Sequence, residues 1–307
     1  MRVKLLFFAG ILIVASGFLS PGLALGLGLL FGFTCVHPYQ SQAKRSSHFL
    51  LQASVVALGF GMDLKQVIAV GRSGFLYTAI GITLALTLGI ALGRWMHVQK
   101  VSSFLISAGT AICGGSAIAA VGPIACASEE QMAVSLGAIF ILNSVALLAF
   151  PPIGWALHLS QPQFGLWSAL AIQDTSSVVG ATARYGALAL SIGTTVKLAR
   201  ALWIIPVSLG TALWTRSKQK VRLPWFIGLF ILAALAHTGL PTWRQAFTSL
   251  DHLGKIGLAI TLFLIGASLS PSTLKKVGSR PLLQAFGLWV AVAGTSLWLI
   301  VSGRIGL

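Results

Sequence analysis

Eleven apolar stretches follow one another along this chain, and no polar segment between them is long enough to fold by itself. They cover residues 5–19, 22–36, 48–64, 74–94, 102–126, 131–150, 164–184, 187–213, 224–240, 252–270 and 281–302. Lengths near twenty residues match a bilayer hydrocarbon core of roughly 30 Å. In that medium the backbone must satisfy its own N–H and C=O groups, and segments of this length do so as helices. Only 8% of the 307 residues are charged and 56% are hydrophobic, for a mean hydropathy of +0.90. Ordinary soluble domains carry about 25% charged residues. The predicted fold is therefore all-α: one polytopic transmembrane domain over residues 1–307 with about eleven helices.

The formal charge of +16 would suit a nucleic-acid binder, but its distribution points to a membrane instead. With the N-terminus on the cytoplasmic side and strict alternation, one side receives Arg2, Lys4, Lys44, Arg45, Arg94, Lys100, Arg216, Lys218, Lys220, Arg222, Lys275, Lys276 and Arg280. That is thirteen of the 21 Lys and Arg residues. The other side receives Asp63, Glu129, Glu130 and Asp251 among its charges. This asymmetry follows the positive-inside rule. It predicts a multi-pass cell-membrane protein with its C-terminus outside, a lipid bilayer as surroundings and no nucleic-acid partner. Cys35, Cys113 and Cys126 show no paired spacing, so neither a disulfide framework nor a metal site is expected.

Three segments carry polar groups that a lipid-facing helix would not tolerate. The fifth contains Gly109, Gly114, Gly115, Gly122 and Pro123. Small residues of this kind serve either close helix packing or a helix broken near mid-membrane. A broken helix would offer the N–H groups of its second half to an anion, with Gly114, Gly115 and Ser116 at that end. The seventh places Gln173, Asp174, Thr175, Ser176 and Ser177 in succession. Such a run is either an assembly contact or a site for a coupling ion or proton. The eighth carries Lys197 and Arg200 on one helical face, three residues apart. Asp174 is the acid expected at similar depth, and one carboxylate cannot neutralise two cations. The surplus positive charge favours an anionic substrate. Asn143, in the middle of the sixth segment, is expected to hydrogen-bond between helices or to face the same cavity.

Two internal likenesses suggest repeats. Leu58–Leu64 (LGFGMDL) and Phe263–Leu269 (FLIGASL) end segments of opposite direction, as inverted repeats do. Ala111–Gly122 (AICGGSAIAAVG) and Ala171–Thr182 (AIQDTSSVVGAT) share Ala-Ile, a central Ser and a small-residue tail. Strict alternation makes their two segments run the same way. Either the likeness comes from small-residue packing, or the count of crossings is off by one.

The stretches Gly109–Ile124, Ile172–Gly186 and Thr194–Pro206 together resemble the YeiH-like family, which carries a sulfate-exporter label. That family is similar to bile-acid:sodium symporters and sodium/proton antiporters. The resemblance implies inverted repeats, crossing broken helices and a secondary transporter in place of an enzyme. Gln173 stands where the family pattern implies a His, which leaves Asp174 as the coupling group. The expectation from residues and resemblance together is a transporter of a small anion such as sulfate or sulfite. Lys197, Arg200, Thr175–Ser177 and Gly114–Ser116 would hold the anion, while Asp174, Gln173 and Asn143 would serve a coupling sodium ion or proton. No other cofactor is expected, and assembly as a homo-oligomer is left open. The alternatives are a sodium-coupled organic-carboxylate symporter, a membrane enzyme without an evident nucleophile, and an accessory subunit.

Overall fold

The computed structural model describes residues 2–19, 21–35, 39–62, 64–215, 225–268 and 278–306. Arg216, Lys218, Lys220, Arg222, Lys275, Lys276 and Asp63, which contribute to the charge asymmetry, lie outside the described residues. Every described element is helical, and each of the eleven apolar segments has its helix or helices. The chain forms two compact units, residues 1–69 with 225–273 and residues 70–224 with 274–307. Among the described residues, five helices are long and apolar enough to cross a membrane by length and composition alone.

The first unit holds α1 (Arg2–Ala15), α2 (Pro21–Thr34), α3 (Gln40–Gly59), the start of α4 (Leu64–Trp95), α12 (Trp225–Gly239) and α13 (Arg244–Ser268). Phe263 on α13 is its centre, packed among the rings of Phe7 and Phe31. Gly28 lets α2 approach the α13 backbone, since a Cβ there would collide with the Phe263 carbonyl. The helices α3 and α13 run antiparallel: Ala57 meets Gly254 and Phe60 stacks on Phe247. Leu58 and Phe263 thus lie near opposite ends of an antiparallel pair, the arrangement expected of the first sequence likeness.

The second unit contains the rest of α4, α5 (Lys100–Ala111), α6 (Gly115–Ile124), α7 (Glu129–Ala156), α8 (Gln161–Ala171), α9 (Thr175–Tyr185), α10 (Ala187–Ala201), α11 (Ile204–Thr215) and α14 (Ser279–Val301). The break expected in segment 5 is present, and segments 7 and 8 are interrupted as well. The first two do not run straight through, however; they double back. A continuous path from Gln99 to Gln131 would separate the two by about 48 Å at 1.5 Å per residue. Instead the Gln131 Nε2 donates to Gln99 Oε1 at 3.0 Å. Ser135 contacts the Ser102 carbonyl, and Ile106 packs with Ala138 and Leu142, so α7 starts beside α5 and runs parallel to it. The intervening α6 has therefore returned to the starting end. Its Ile118 and Val121 pack on Leu105.

The pair α8–α9 turns back in the same way. Tyr185, closing α9, stacks on Phe164 near the start of α8 with ring centroids 3.8 Å apart. Its hydroxyl donates to the Leu159 carbonyl at 2.6 Å. The next helix, α10, starts at this same end, with the Leu188 N–H on Gln161 Oε1. Because α7 runs from the base of the first hairpin to the base of the second, the hairpins enter from opposite ends. Capping boxes open α7 (Ser128 with Gln131) and α8 (Ser160 with Gln163), so both helices start at defined positions after short turns. Strict alternation fails at these two segments, which moves Glu129 and Glu130 to the side of Lys100.

Impermeant maleimide labelling tests this topology. In a background lacking Cys35, Cys113 and Cys126, cysteines introduced at Lys100 and Glu130 should label from the same side of the membrane. Gln161 and Gly186 positions should both label from the other side. Labelling of Lys100 and Glu130 positions from opposite sides would rule out the first hairpin.

Candidate functional site

The hairpin tips break at equivalent places. The first limb ends at Ala111 and the return limb starts at Gly115; the second ends at Ala171 and restarts at Thr175. These positions match in the Ala-Ile likeness read from sequence, so the likeness marks an inverted pair of hairpins. Entry from opposite ends resolves the conflict over direction. Gly114, at φ 65° and ψ −127°, occupies a backbone region that a Cβ strongly disfavours. A Cβ there would also lie 3.2 Å from the Cα of Asp174. The two equivalent tip residues thus touch.

Around that contact the broken backbone finds its partners in side chains. Asn143, midway along α7, accepts from the N–H groups of Gln173 and Asp174 at 3.1 and 3.0 Å. Gln173 Nε2 donates to Thr110 Oγ1 at 3.0 Å, joining one tip to the other. Asp174 is the N-cap of α9: its carboxylate accepts from the Ser176 N–H at 3.2 Å and from the Ser176 hydroxyl. The same residue is thus satisfied locally by the helix it starts.

Lys197 and Arg200 reach the tips from α10, but they do not pair with Asp174. Among the described residues the ion pair found is Lys255 with Asp251, far away in sequence. Lys197 Nζ donates to the carbonyls of Ile172 at 2.7 Å and Ala169 at 3.4 Å. Arg200 donates through Nε to the Ala111 carbonyl at 2.5 Å and through Nη1 to the Leu170 carbonyl at 2.9 Å. These carbonyls close α8 and α5, where the helix dipole is negative. Both cations are buried, at 0% and 1% exposure. Arg200 Nη2, Asn143 Nδ2 and Gln173 Oε1 are buried and lack a hydrogen-bond partner among the described residues.

The opposite ends of the return limbs are less evenly treated. The N-terminus of α9 has Asp174, whereas α6 starts at Gly114 with no side-chain cap. The first N–H groups of a helix have no intrahelical acceptor. Gly115 and Ser116 there are half-buried, as is Asp174, while Thr175, Ser176 and Ser177 are buried. The residues assigned to the anion and to the coupling ion in the sequence lie at or beside the two tips, whereas Gly122 and Pro123 lie at the other end of α6. Thr110 and the carbonyls of Ala111, Ala169, Leu170 and Ile172 were not foreseen. The shared Ala-Ile register marks where those carbonyls end their helices, and is the one sequence signal for them.

Residues 7–285 match the family described as Conserved hypothetical protein 698. The chain belongs to that family. It is 47% identical to a UPF0324 membrane protein of Bdellovibrio bacteriovorus, across 98% of this chain and 95% of the relative. It is 48% identical to UPF0324 membrane proteins of Bacteroides thetaiotaomicron, across 92% and 86%, and of Geobacter sulfurreducens, across 92% and 91%. No solved structure matches. The YeiH-like resemblance holds, and the chain is a multi-pass helical membrane protein of the Conserved hypothetical protein 698 family.

Two substitutions test the tips. Asn143→Ala removes the acceptor for two buried N–H groups and should lower stability by about 1–3 kcal/mol, read as a fall in melting temperature of the detergent-solubilised protein. Gly114→Ala should lower it as well, whereas Gly26→Ala, where nothing lies within 4 Å, should not. Equal effects at Gly114 and Gly26 would mean that the tip contact carries no weight.

Proposed function

We propose that this protein is a secondary transporter of a small oxyanion such as sulfate or sulfite, bound where the N-termini of α6 and α9 meet. The observation that carries this reading is the contact between Gly114 and Asp174. It brings together two half-helix N-termini from opposite ends of the unit. Such ends present N–H donors and roughly half a positive charge each, and discontinuous helices of transporters aim them at anionic groups. Lys197 and Arg200, set into the carbonyl ends behind the tips, compensate the negative side of each break. The uncapped end of α6, with Ser116, is left for the ligand, joined by the Thr175 and Ser177 hydroxyls, while the Ser176 hydroxyl is engaged on Asp174. Arg200 Nη2 adds a buried donor with no partner among the described residues.

Asp174 supplies the coupling. Ionised, it compensates the N-terminus of α9 and repels an incoming anion. A proton on the carboxylate removes that repulsion, so proton and anion favour each other's binding by the reciprocity of linkage. Asn143 holds the Asp174 backbone in place, and Gln173 ties the same tip to Thr110 of the other hairpin. With the cytoplasmic side assigned to Lys100 and Arg94, the N-terminus is cytoplasmic, the C-terminus is outside, and the protein lies in the cell membrane. The work of this site is binding and movement of the anion.

Thermal-shift titration of purified protein with sulfate, sulfite, sulfonates and carboxylates should reveal stabilising anions, and flux into proteoliposomes should follow the same order. Ser116→Asp puts a carboxylate at the open N-terminus of α6, where it favours the helix but competes with the ligand. It should keep the melting temperature and weaken anion binding about 10-fold or more, the loss of one charge-assisted hydrogen bond or greater. Undiminished binding in that variant would remove the anion from this end.

Asp174→Asn preserves an N-cap without the charge. Removing the charge should tighten anion binding at fixed pH, and uptake driven by a proton gradient into proteoliposomes should be lost in the variant. Proton-driven uptake that survives in the variant would exclude Asp174 as the coupling group.

A further inference from the structure

Where a helix stops inside a membrane, its last carbonyls carry the negative end of the dipole and have no water to turn to. In transporters with broken helices, unwound carbonyls of this kind coordinate sodium or accompany a proton. At these tips the carbonyls are already engaged. Ile172 and Ala169 receive the Lys197 ammonium, and Ala111 and Leu170 receive the Arg200 guanidinium. Both cations rise from α10 one turn apart, and both are wholly enclosed. They serve both hairpins, since Ala111 closes the first and Leu170 lies in the second. The carboxylate that would complete an oxygen cage for a metal ion is engaged by Ser176.

We infer that Lys197 and Arg200 are tethered cations that take the place of a mobile metal ion at the carbonyl ends of the two hairpins, so that the site is complete without sodium. The consequence for transport, movement of the anion independent of a sodium gradient, rests on the function proposed above. The structural claim does not. An ammonium on a side chain is held at fixed stoichiometry and does not leave, so it can position the tips but cannot carry energy from an ion gradient.

Melting temperature of the detergent-solubilised full chain tests this without any transport assay. Wild type should melt at the same temperature in sodium chloride and in choline chloride of equal ionic strength. Lys197→Ala opens the carbonyls of Ile172 and Ala169 and vacates the ammonium's space. It should melt lower in choline chloride and recover by roughly 3 °C or more on titration with sodium or methylammonium. Lys197→Met fills the space with an apolar group and should melt lower without recovery. A sodium-specific rise in wild type would overturn the inference, as would a Lys197→Ala protein that no small cation restores. The wild-type comparison decides alone if Lys197→Ala cannot be purified. Absence of anion flux would sink the transport proposal and leave this result standing, whereas sodium-specific stabilisation of wild type would do the reverse.

Discussion

The second unit depends on one constraint: a helix that ends inside a membrane must find donors for its last carbonyls. Lys197 and Arg200 provide them, four hydrogen bonds in all. Burying an isolated ammonium or guanidinium costs several kcal/mol even after relaxation. Hydrogen bonds to a charged group return about 1.5–3 kcal/mol each, so four of them are of the size needed to offset the cost of two such ions. Cations and carbonyl ends make each other tolerable. Without the cations the carbonyls that close α5 and α8 would lose these donors. Without the stops, α10 would have no place for its charges.

The two hairpins are equivalent in position and unlike in chemistry. Gly114 and Asp174 stand at matching places and touch, as residues close to a local two-fold relation do. Ser116 matches Ser176, and Cys113 matches Gln173. Yet α9 brings its own carboxylate to its N-terminus and α6 brings only glycine. The pair therefore offers one compensated positive end beside one open end. Gln173 reaches across to Thr110 and Asn143 holds the second tip from α7, so the tips form one connected polar cluster. On the function proposed above, an anion at the open end and a proton at the closed one favour each other's binding.

Much of this was legible in the residues. Composition and periodic apolar segments identified a helical membrane protein, and the glycines around Gly114 marked one break; the run around Asp174 read as a polar site, and it is a second break. Lys197 and Arg200 stood out because charge in such surroundings must have a partner. Their partner was misjudged: an acid was the natural candidate, and backbone carbonyls, which every residue has, leave no mark in a sequence. Trp167 illustrates the same limit. Tryptophans near the ends of membrane segments commonly sit at the interface, yet this one is buried, stacked on Phe150 and donating to the Ala293 carbonyl.

By itself the sequence determined the medium, the helices and the places where they fail, because hydrophobicity, chain length and glycine or polar interruptions act locally. Only the tertiary structure decided where the chain goes after each failure. A break looks alike in sequence whether the next helix continues across or turns back. That choice belongs to packing: Gln131 on Gln99 and Tyr185 on Phe164 join positions far apart along the chain. Once both segments turn back, the charges meet the carbonyl ends and the two half-helix N-termini meet each other.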